Sequence, residues 1–332
     1  MAQHPYPVGP FALGTFSLAD GPPFPGLVAG ERVLDLSRTL TRAPADLRAI
    51  LEVWEEALPL LRSLADATGR AGTPLAELRV HAPVTPRQLF QSGANYRRHV
   101  IDLELAHRSP DDPRPADEAR AEVAALMDRR AREDLPYVFT GLPSALTGPY
   151  DDVVLPGWCE QPDWELELAA VIGRPAYRVS TEEALAHVAG YTIANDLTDR
   201  AAVFRRDLPT IGTDWLRAKN APGFTPLGPY LVPAGFVTDP GDLRITLKLN
   251  GATMQDESTK DMLFDVARLV AYASQSARLL PGDVLLTGSP AGNGLHWGRL
   301  LRDGDVMEGS ITGLGAQRTR CVAASGASEV AL

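Results

Sequence analysis

Hydrophobic and polar positions change rhythm most sharply in Asp163-Trp164-Glu165-Leu166-Glu167-Leu168-Ala169-Ala170-Val171-Ile172-Gly173. Acid and apolar residues alternate up to Glu167, and an unbroken apolar run closed by glycine follows, the pattern of a buried strand. Residues two apart on a strand share a face, which sets Glu165 and Glu167 side by side at the edge of an apolar interior. Upstream, residues 11–16, 25–29 and 33–36 are short strand candidates parted by Gly and Pro. Leu47, Ile50, Leu51, Trp54, Leu58, Leu61 and Leu64 then recur at helical spacing across 44–67, with Pro59 placed to kink or divide that helix. The proline-punctuated stretch 73–86 ends as a linker, so residues 1–82 are expected to form a small N-terminal domain and 83–326 the main one.

In the main region, 89–93 predicts a strand running into a glycine turn and then a helix that carries His99 and Asp102. The charged segment 109–134 is an insertion, and 116–132 within it is an amphipathic helix with Val123, Leu126 and Met127 on its apolar face. A Ser or Thr followed by Glu182 and Glu183 starts a further helix. The strand at 191–194 delivers Asn195-Asp196. Residues 243–250 alternate, and Asn250-Gly251 marks a hairpin. A helix is expected over 261–277, and the strand 284–286 leads into a Gly- and Pro-rich loop at 287–294. Strands with Gly/Pro turns dominate, which makes the fold class mostly β with α (α+β).

Composition narrows this little. The chain has 332 residues, 45% apolar and 22% charged, as an ordinary globular protein does. A net charge of -10 disfavours nucleic acid and anionic membranes as partners. There is no apolar run of about 18 residues to span a bilayer, no secretory signal, and no P-loop or dinucleotide-binding glycine motif. Cys159 and Cys321 lack the spacing of a disulfide framework or a cysteine zinc site. A cytoplasmic enzyme fits, as do many binding proteins.

Glu165 and Glu167 are the first candidate chemistry. Two adjacent carboxylates repel, and a hard divalent cation (Mg²⁺, Mn²⁺ or Ca²⁺) relieves the conflict; the alternative is a solvated strand end. Asp196 adds a third carboxylate at a strand end. His99 and Asp102 lie three apart on a helix, either the usual preparation of a general base or a surface pair. The insertion is either a lid or a solvated helix.

Six ordered stretches, GANYRRH, DWELELAAVIG, AGYTIANDLTDR, RAKNAPGFTPLGPYLV, LNGATMQ and LLPGDVLLTGSPAGNG, resemble the fumarylacetoacetate hydrolase family over about residues 85 to 325. The resemblance implies a catalytic domain of rolled, mixed β-sheets, usually dimeric, beside the small N-terminal domain. It implies Mg²⁺, sometimes Mn²⁺ or Ca²⁺, held by Glu165, Glu167 and Asp196, with His99 and Asp102 activating water and Lys219 stabilising enolate charge. Tyr96, Arg200, Gln255, Thr287 and Ser289 fall where the family meets substrate, Arg200 equally as an ion-pairing residue. Three departures stand out: Asp102 replaces a frequent Glu, Gly141 stands in place of a family lysine, and Ala221 and Pro222 replace a Phe-Asp pair. The implied activity is hydrolysis of a C–C bond in a β-diketo acid, of acylpyruvate or fumarylacetoacetate type, through a metal-chelated enolate. Decarboxylation, tautomerisation or hydration of a related 2-oxo acid is the alternative, and an inactive binding protein on the same fold a lesser one. The implied partners are a small 2-oxo acid and a second copy of the chain, with neither nucleic acid nor membrane.

Overall fold

The computed structural model describes residue 7 and residues 9–324 except 20, 42, 107, 110, 111 and 211. The ends of the two expected domains and part of the 109–134 insertion lie outside the described residues. A six-stranded mixed sheet forms the centre, in the order Val232–Pro233, Val188–Asn195, Leu166–Ile172, Val284–Leu286, Leu89–Gly93, Tyr137–Gly141. The two long strands are antiparallel, with Leu166 opposite Asn195 and Glu167 opposite Ala194. Val284–Leu286 runs parallel to Leu89–Gly93.

All seven residues of Leu166–Ile172 are buried. A strand covered on both faces needs apolar side chains on both, so its sequence does not alternate. Leu166, Leu168, Ala170 and Ile172 enter one core with Ile193, Leu247 and Leu269. Ala169 and Val171 enter another with Leu13, Leu27 and Val284. A second sheet, in the order Ala252–Ser258, Arg244–Leu249, Val306–Ile311, Gly315–Ala323, Val153–Leu155, packs against the first core. Asn250 (φ 50°) and Gly251 (φ 84°) turn its first hairpin as their sequence predicts.

The N-terminal region forms its own five-stranded sheet, which ends at Leu78–His81. Its core is shared, however. Phe11, Leu13, Leu27 and Ile50 pack with Leu89, Val171 and Leu286, and Leu13 and Leu231 exchange backbone hydrogen bonds of 2.9 and 2.8 Å. At about 1.5–3 kcal/mol for each buried leucine-sized side chain, this seam fixes the N-terminal sheet to the central one. Pro59 does not divide the helical stretch. The break falls at Glu52 and Val53, between Leu47–Leu51 and Trp54–Ala71, and Pro59 lies inside the second helix. Near the helix start a proline removes one backbone bond, and the packing of Leu58, Leu61 and Leu64 under the sheet holds the rest. The helix expected from 261 begins at Val266, because Asp265 supplies the cap, accepting from Arg268 N at 2.8 Å.

Candidate active site

Strand register assembles the carboxylates. Glu165 and Glu167 lie at the start of Leu166–Ile172, on the face opposite Leu166 and Leu168. Asp196 follows the neighbouring strand; its N–H donates to Glu165 O at 2.8 Å, while Asn195 Oδ1 accepts from Glu165 N at 2.9 Å. One oxygen from each of Glu165, Glu167 and Asp196 lies within 4.8 Å of the others, and all three residues are buried.

Cations and a backbone donor surround the cluster. Lys219 ends the helix Trp215–Lys219. Its Nζ donates to Glu165 Oε2 and Asp196 Oδ2, both at 2.6 Å, and to Thr198 Oγ1 at 2.7 Å. Arg200 donates from Nε to Asp163 Oδ2 at 2.8 Å and from Nη2 to Glu165 Oε1 at 2.6 Å. Gly288 N donates to Glu167 Oε2 at 2.6 Å. That amide requires glycine: φ is +90°, and a Cβ would lie 2.9 Å from Asn95 Cβ.

The charges do not balance. Among the described residues, Asp163, Glu165, Glu167 and Asp196 have Lys219 and Arg200 as their ion-pair cations. Burial raises Glu165, but Arg200 and Lys219 outweigh it and hold its carboxyl below the ordinary range. Burial, then Asp196 and Glu165, push Glu167 well above that range. Burial also raises Asp196, against the opposing pull of Lys219. Burial acts to lower Lys219, yet Asp196, Glu165 and Glu167 prevail and keep it protonated. The excess negative charge therefore falls on Glu167 and Asp196. A donor set made only of oxygens, with surplus charge, fits a hard divalent cation.

His99 lies on the helix Arg97–Ala106, half-buried. Burial lowers its pKa, with Glu165 and Asp102 opposing and Arg200 and His296 assisting, so the neutral imidazole is favoured. With Asp102, Leu103, Asn293, Leu295 and His296 it borders a cleft of about 300 Å³. The expected His99–Asp102 hydrogen bond is not formed. Asp102 pairs instead with Arg120 Nη1 at 3.1 Å, from the helix Ala116–Glu133, and more distantly with Arg98.

The residues expected at substrate are held by the protein itself. Gln255 accepts from Leu166 N at 3.2 Å and donates to Ser289 Oγ at 2.9 Å and Pro290 O at 2.8 Å. Thr287 Oγ1 donates to Leu168 O at 2.9 Å. These bonds fasten the 287–290 loop against the carboxylate strand. Tyr96 is fully buried, its hydroxyl pKa pushed up by burial and then by Glu167. Arg200 is engaged as an ion-pairing residue. Sequence reasoning missed Asp163, which binds Arg200 and the amides of Trp164 and Gly294, and Gln91, whose Nε2 donates to Asp196 Oδ1 at 2.6 Å. The signal for Asp163 was an acid ahead of the two glutamates; for Gln91, a polar residue on an apolar strand.

Mixed sheets around three buried carboxylates, a buried lysine and a half-buried histidine define an oxygen-donor cluster that could hold a divalent cation. The fumarylacetoacetate (FAA) hydrolase C-terminal family matches residues 88–322. The chain is 44% identical over 266 residues to a 2,4-didehydro-3-deoxy-L-rhamnonate hydrolase of Sphingomonas sp. (strain SKA58), covering 78% of this chain and 83% of that protein. It is 34% identical over 289 residues to a mitochondrial oxaloacetate tautomerase of Bos taurus, covering 86% and 82%. The crystal structure of maleylpyruvate hydrolase from Sphingobium sp. SYK-6 in complex with manganese(II) ion and pyruvate superposes with a TM-score of 0.72 at 25% identity, over 95% of this chain and all of that one. The chain belongs to the fumarylacetoacetate hydrolase family, and it has that family's fold. Among the described residues no helix is long and apolar enough to cross a membrane.

Proposed function

We propose that the protein is a divalent-cation-dependent hydrolase that cleaves a C–C bond in a β-diketo or related 2-oxo acid. The observation that carries this reading is the buried cluster of Glu165, Glu167 and Asp196, with oxygens within 4.8 Å of one another and more negative charge than Lys219 and Arg200 offset. The three carboxylates would hold Mg²⁺ or Mn²⁺, which supplies Lewis-acid polarisation of the substrate's 2-oxo group when bound. Lys219, kept protonated, places positive charge where enolate charge develops. His99, neutral and beside the cleft, takes the proton of the attacking water. The sheet and the buried 287–290 loop exclude bulk water from the carboxylates. The sugar-acid hydrolase among its relatives and the maleylpyruvate hydrolase with manganese and pyruvate support a 2-oxo acid as substrate.

A second reading, tautomerisation of a 2-oxo acid such as oxaloacetate, draws on one specific observation. Asp102 is engaged by Arg120, so His99 lacks the carboxylate partner that strengthens a water-activating base. The relative named an oxaloacetate tautomerase supports it. We propose a homodimer as the assembly: Phe204 and Leu216 are exposed on segments beside the Phe139–Trp215 stack and supply an apolar surface.

The test is product analysis with acetylpyruvate, fumarylpyruvate, oxaloacetate, a hydroxymuconate and 2,4-didehydro-3-deoxy-L-rhamnonate, each with Mg²⁺, Mn²⁺ or EDTA. Cation-dependent release of pyruvate or another short 2-oxo acid together with a second carboxylic acid supports the hydrolase. Enol–keto interconversion of oxaloacetate without cleavage would transfer the reading to the tautomerase. No turnover of any of them would overturn both.

A further inference from the structure

We propose that Gln91 is a positioning residue of the carboxylate site, holding Asp196 for the divalent cation, and that residue 141 is glycine to give the Gln91 amide its place. The inference rests on the cation-site reading above. Gln91 lies on Leu89–Gly93 and is 1% exposed, on a strand whose neighbours Leu89 and Phe90 are buried apolar residues. Its Nε2 donates to Asp196 Oδ1 at 2.6 Å, a charge-assisted bond between residues 105 apart in sequence. Its Oε1 is buried and has no hydrogen-bond partner. An amide that leaves its oxygen unpaired weakens the core it sits in, since an apolar side chain of similar shape carries no such penalty. What the amide contributes in return is its hold on Asp196.

That hold has a directional consequence. Asp196 Oδ2 faces Lys219 Nζ at 2.6 Å. With Oδ1 tied to Gln91, the carboxylate cannot rotate to exchange its oxygens, so Oδ2 is the oxygen presented to the cluster. Outer partners of this kind orient metal-binding carboxylates and tune their affinity. Gly141 completes the device. It pairs with Leu89 across the strand junction, two positions from the Gln91–Phe139 pair. A Cβ built on Gly141 would lie 2.5 Å from Gln91 Oε1 and 2.9 Å from its Cδ. A side chain at 141 would therefore press on the same amide group that holds Asp196.

The experiment is calorimetric titration of the full chain with Mn²⁺, paired with the electron paramagnetic resonance spectrum of the bound ion and the thermal midpoint in EDTA. Gln91→Leu is expected to weaken Mn²⁺ affinity about 10–100-fold and to change the zero-field splitting, while the midpoint in EDTA holds or rises. Gly141→Ala, with Gln91 still present, is expected to shift affinity in the same direction. Gln91→Met is the second variant should Gln91→Leu fail to fold. Affinity within twofold of the unsubstituted chain in a folded Gln91 variant would overturn the role of Gln91 and leave the cation site standing. Loss of the fold in both variants would overturn it too, since a core role would then account for the residue. Absence of Mn²⁺ binding by the unsubstituted chain would overturn the cation-site reading itself.

Discussion

Asp102 accepts a hydrogen bond from Arg120 of the helix Ala116–Glu133 at 3.1 Å and none from His99, one helical turn before it. Sequence separation of three made His99 and Asp102 natural partners; the helix Ala116–Glu133 supplies a competitor that a reading of one helix cannot reveal. The helix Ala116–Glu133 is anchored on the helix of His99 by Arg97 Nε, which donates to Asp128 at 2.6 Å. It is thus coupled to the element that carries the candidate base.

Arg120→Ala is expected to return Asp102 to His99. The Arg120 side chain is 50% exposed, so the pair contributes less than about 1 kcal/mol to stability. Its electrostatic effect on His99 is the sharper readout. A freed carboxylate favours the imidazolium, so the acid limb of kcat/KM should move to higher pH by less than about 0.7 unit. An unmoved limb in a folded variant would show that Arg120 does not govern the base.

The pH profile of the unsubstituted enzyme follows from the same residue. Burial places the His99 pKa below its ordinary 6.5, with Glu165 and Asp102 opposing incompletely. The neutral, proton-accepting form therefore predominates at pH 7 and is lost only as pH falls through a value under 6.5. His99→Gln is expected to lower kcat/KM about 10²–10⁴-fold and to remove that acid limb, with Mn²⁺ affinity by calorimetry unchanged. Retained hydrolysis in this variant would mean that another group accepts the proton.

Much of this site was legible because strand chemistry is local. The two-residue period put Glu165 and Glu167 on one face, and the apolar run after them announced a strand buried on both sides. Asn250-Gly251 specified its own turn. What could not be read were relationships set by sheet order and by packing between distant segments. Gln91 meets Asp196 from a strand that sheet order places two strands beyond Leu166–Ile172, and Arg200 bridges Asp163 to Glu165 only once the segment after Asp196 lies against the strand before Leu166. Proline punctuation marks the end of the N-terminal region in the sequence, whereas the core that Leu13 and Leu27 share with Val171 depends on which faces meet. At Pro59 the division does not occur for a related reason: tertiary packing keeps a helix that local propensity would have cut.

Arg200 offers a test of the ion-pair network. Its guanidinium bridges Asp163 and Glu165, and its side chain is only 14% exposed. Arg200→Met leaves both carboxylates buried without their main counter-charge, at an expected cost of about 3–5 kcal/mol. Arg200→Lys should recover little, because one ammonium cannot reproduce two directed bonds from a planar fork. Thermal or urea unfolding in EDTA reads the loss directly. A midpoint near that of the unsubstituted chain would show that Arg200 is dispensable to the network and is free for substrate instead.

Glu167 should affect stability in opposite directions with and without a cation. Burial, Asp196 and Glu165 raise its folded pKa well above the ordinary 4.5. The folded chain then holds a proton that the unfolded chain releases, so stability contributed by this group is complete below pH 4.5 and falls as pH rises toward the folded pKa. Each pH unit inside that window removes up to about 1.4 kcal/mol. Asp196 adds to the same slope, its pKa also being raised by burial. Glu167→Gln replaces the carboxyl with a neutral group of the same shape, so in EDTA the variant should lose less stability between pH 5 and pH 8. Saturating Mn²⁺ should reverse the ranking, since a ligand that binds only the folded state stabilises it by mass action and the variant lacks one anionic donor. Calorimetric midpoints at the two pH values, each with EDTA and with Mn²⁺, contain the whole argument. Parallel curves for the two proteins in EDTA would show that Glu167 carries no uncompensated charge, and the electrostatic case for a cation at this cluster would lose its main support.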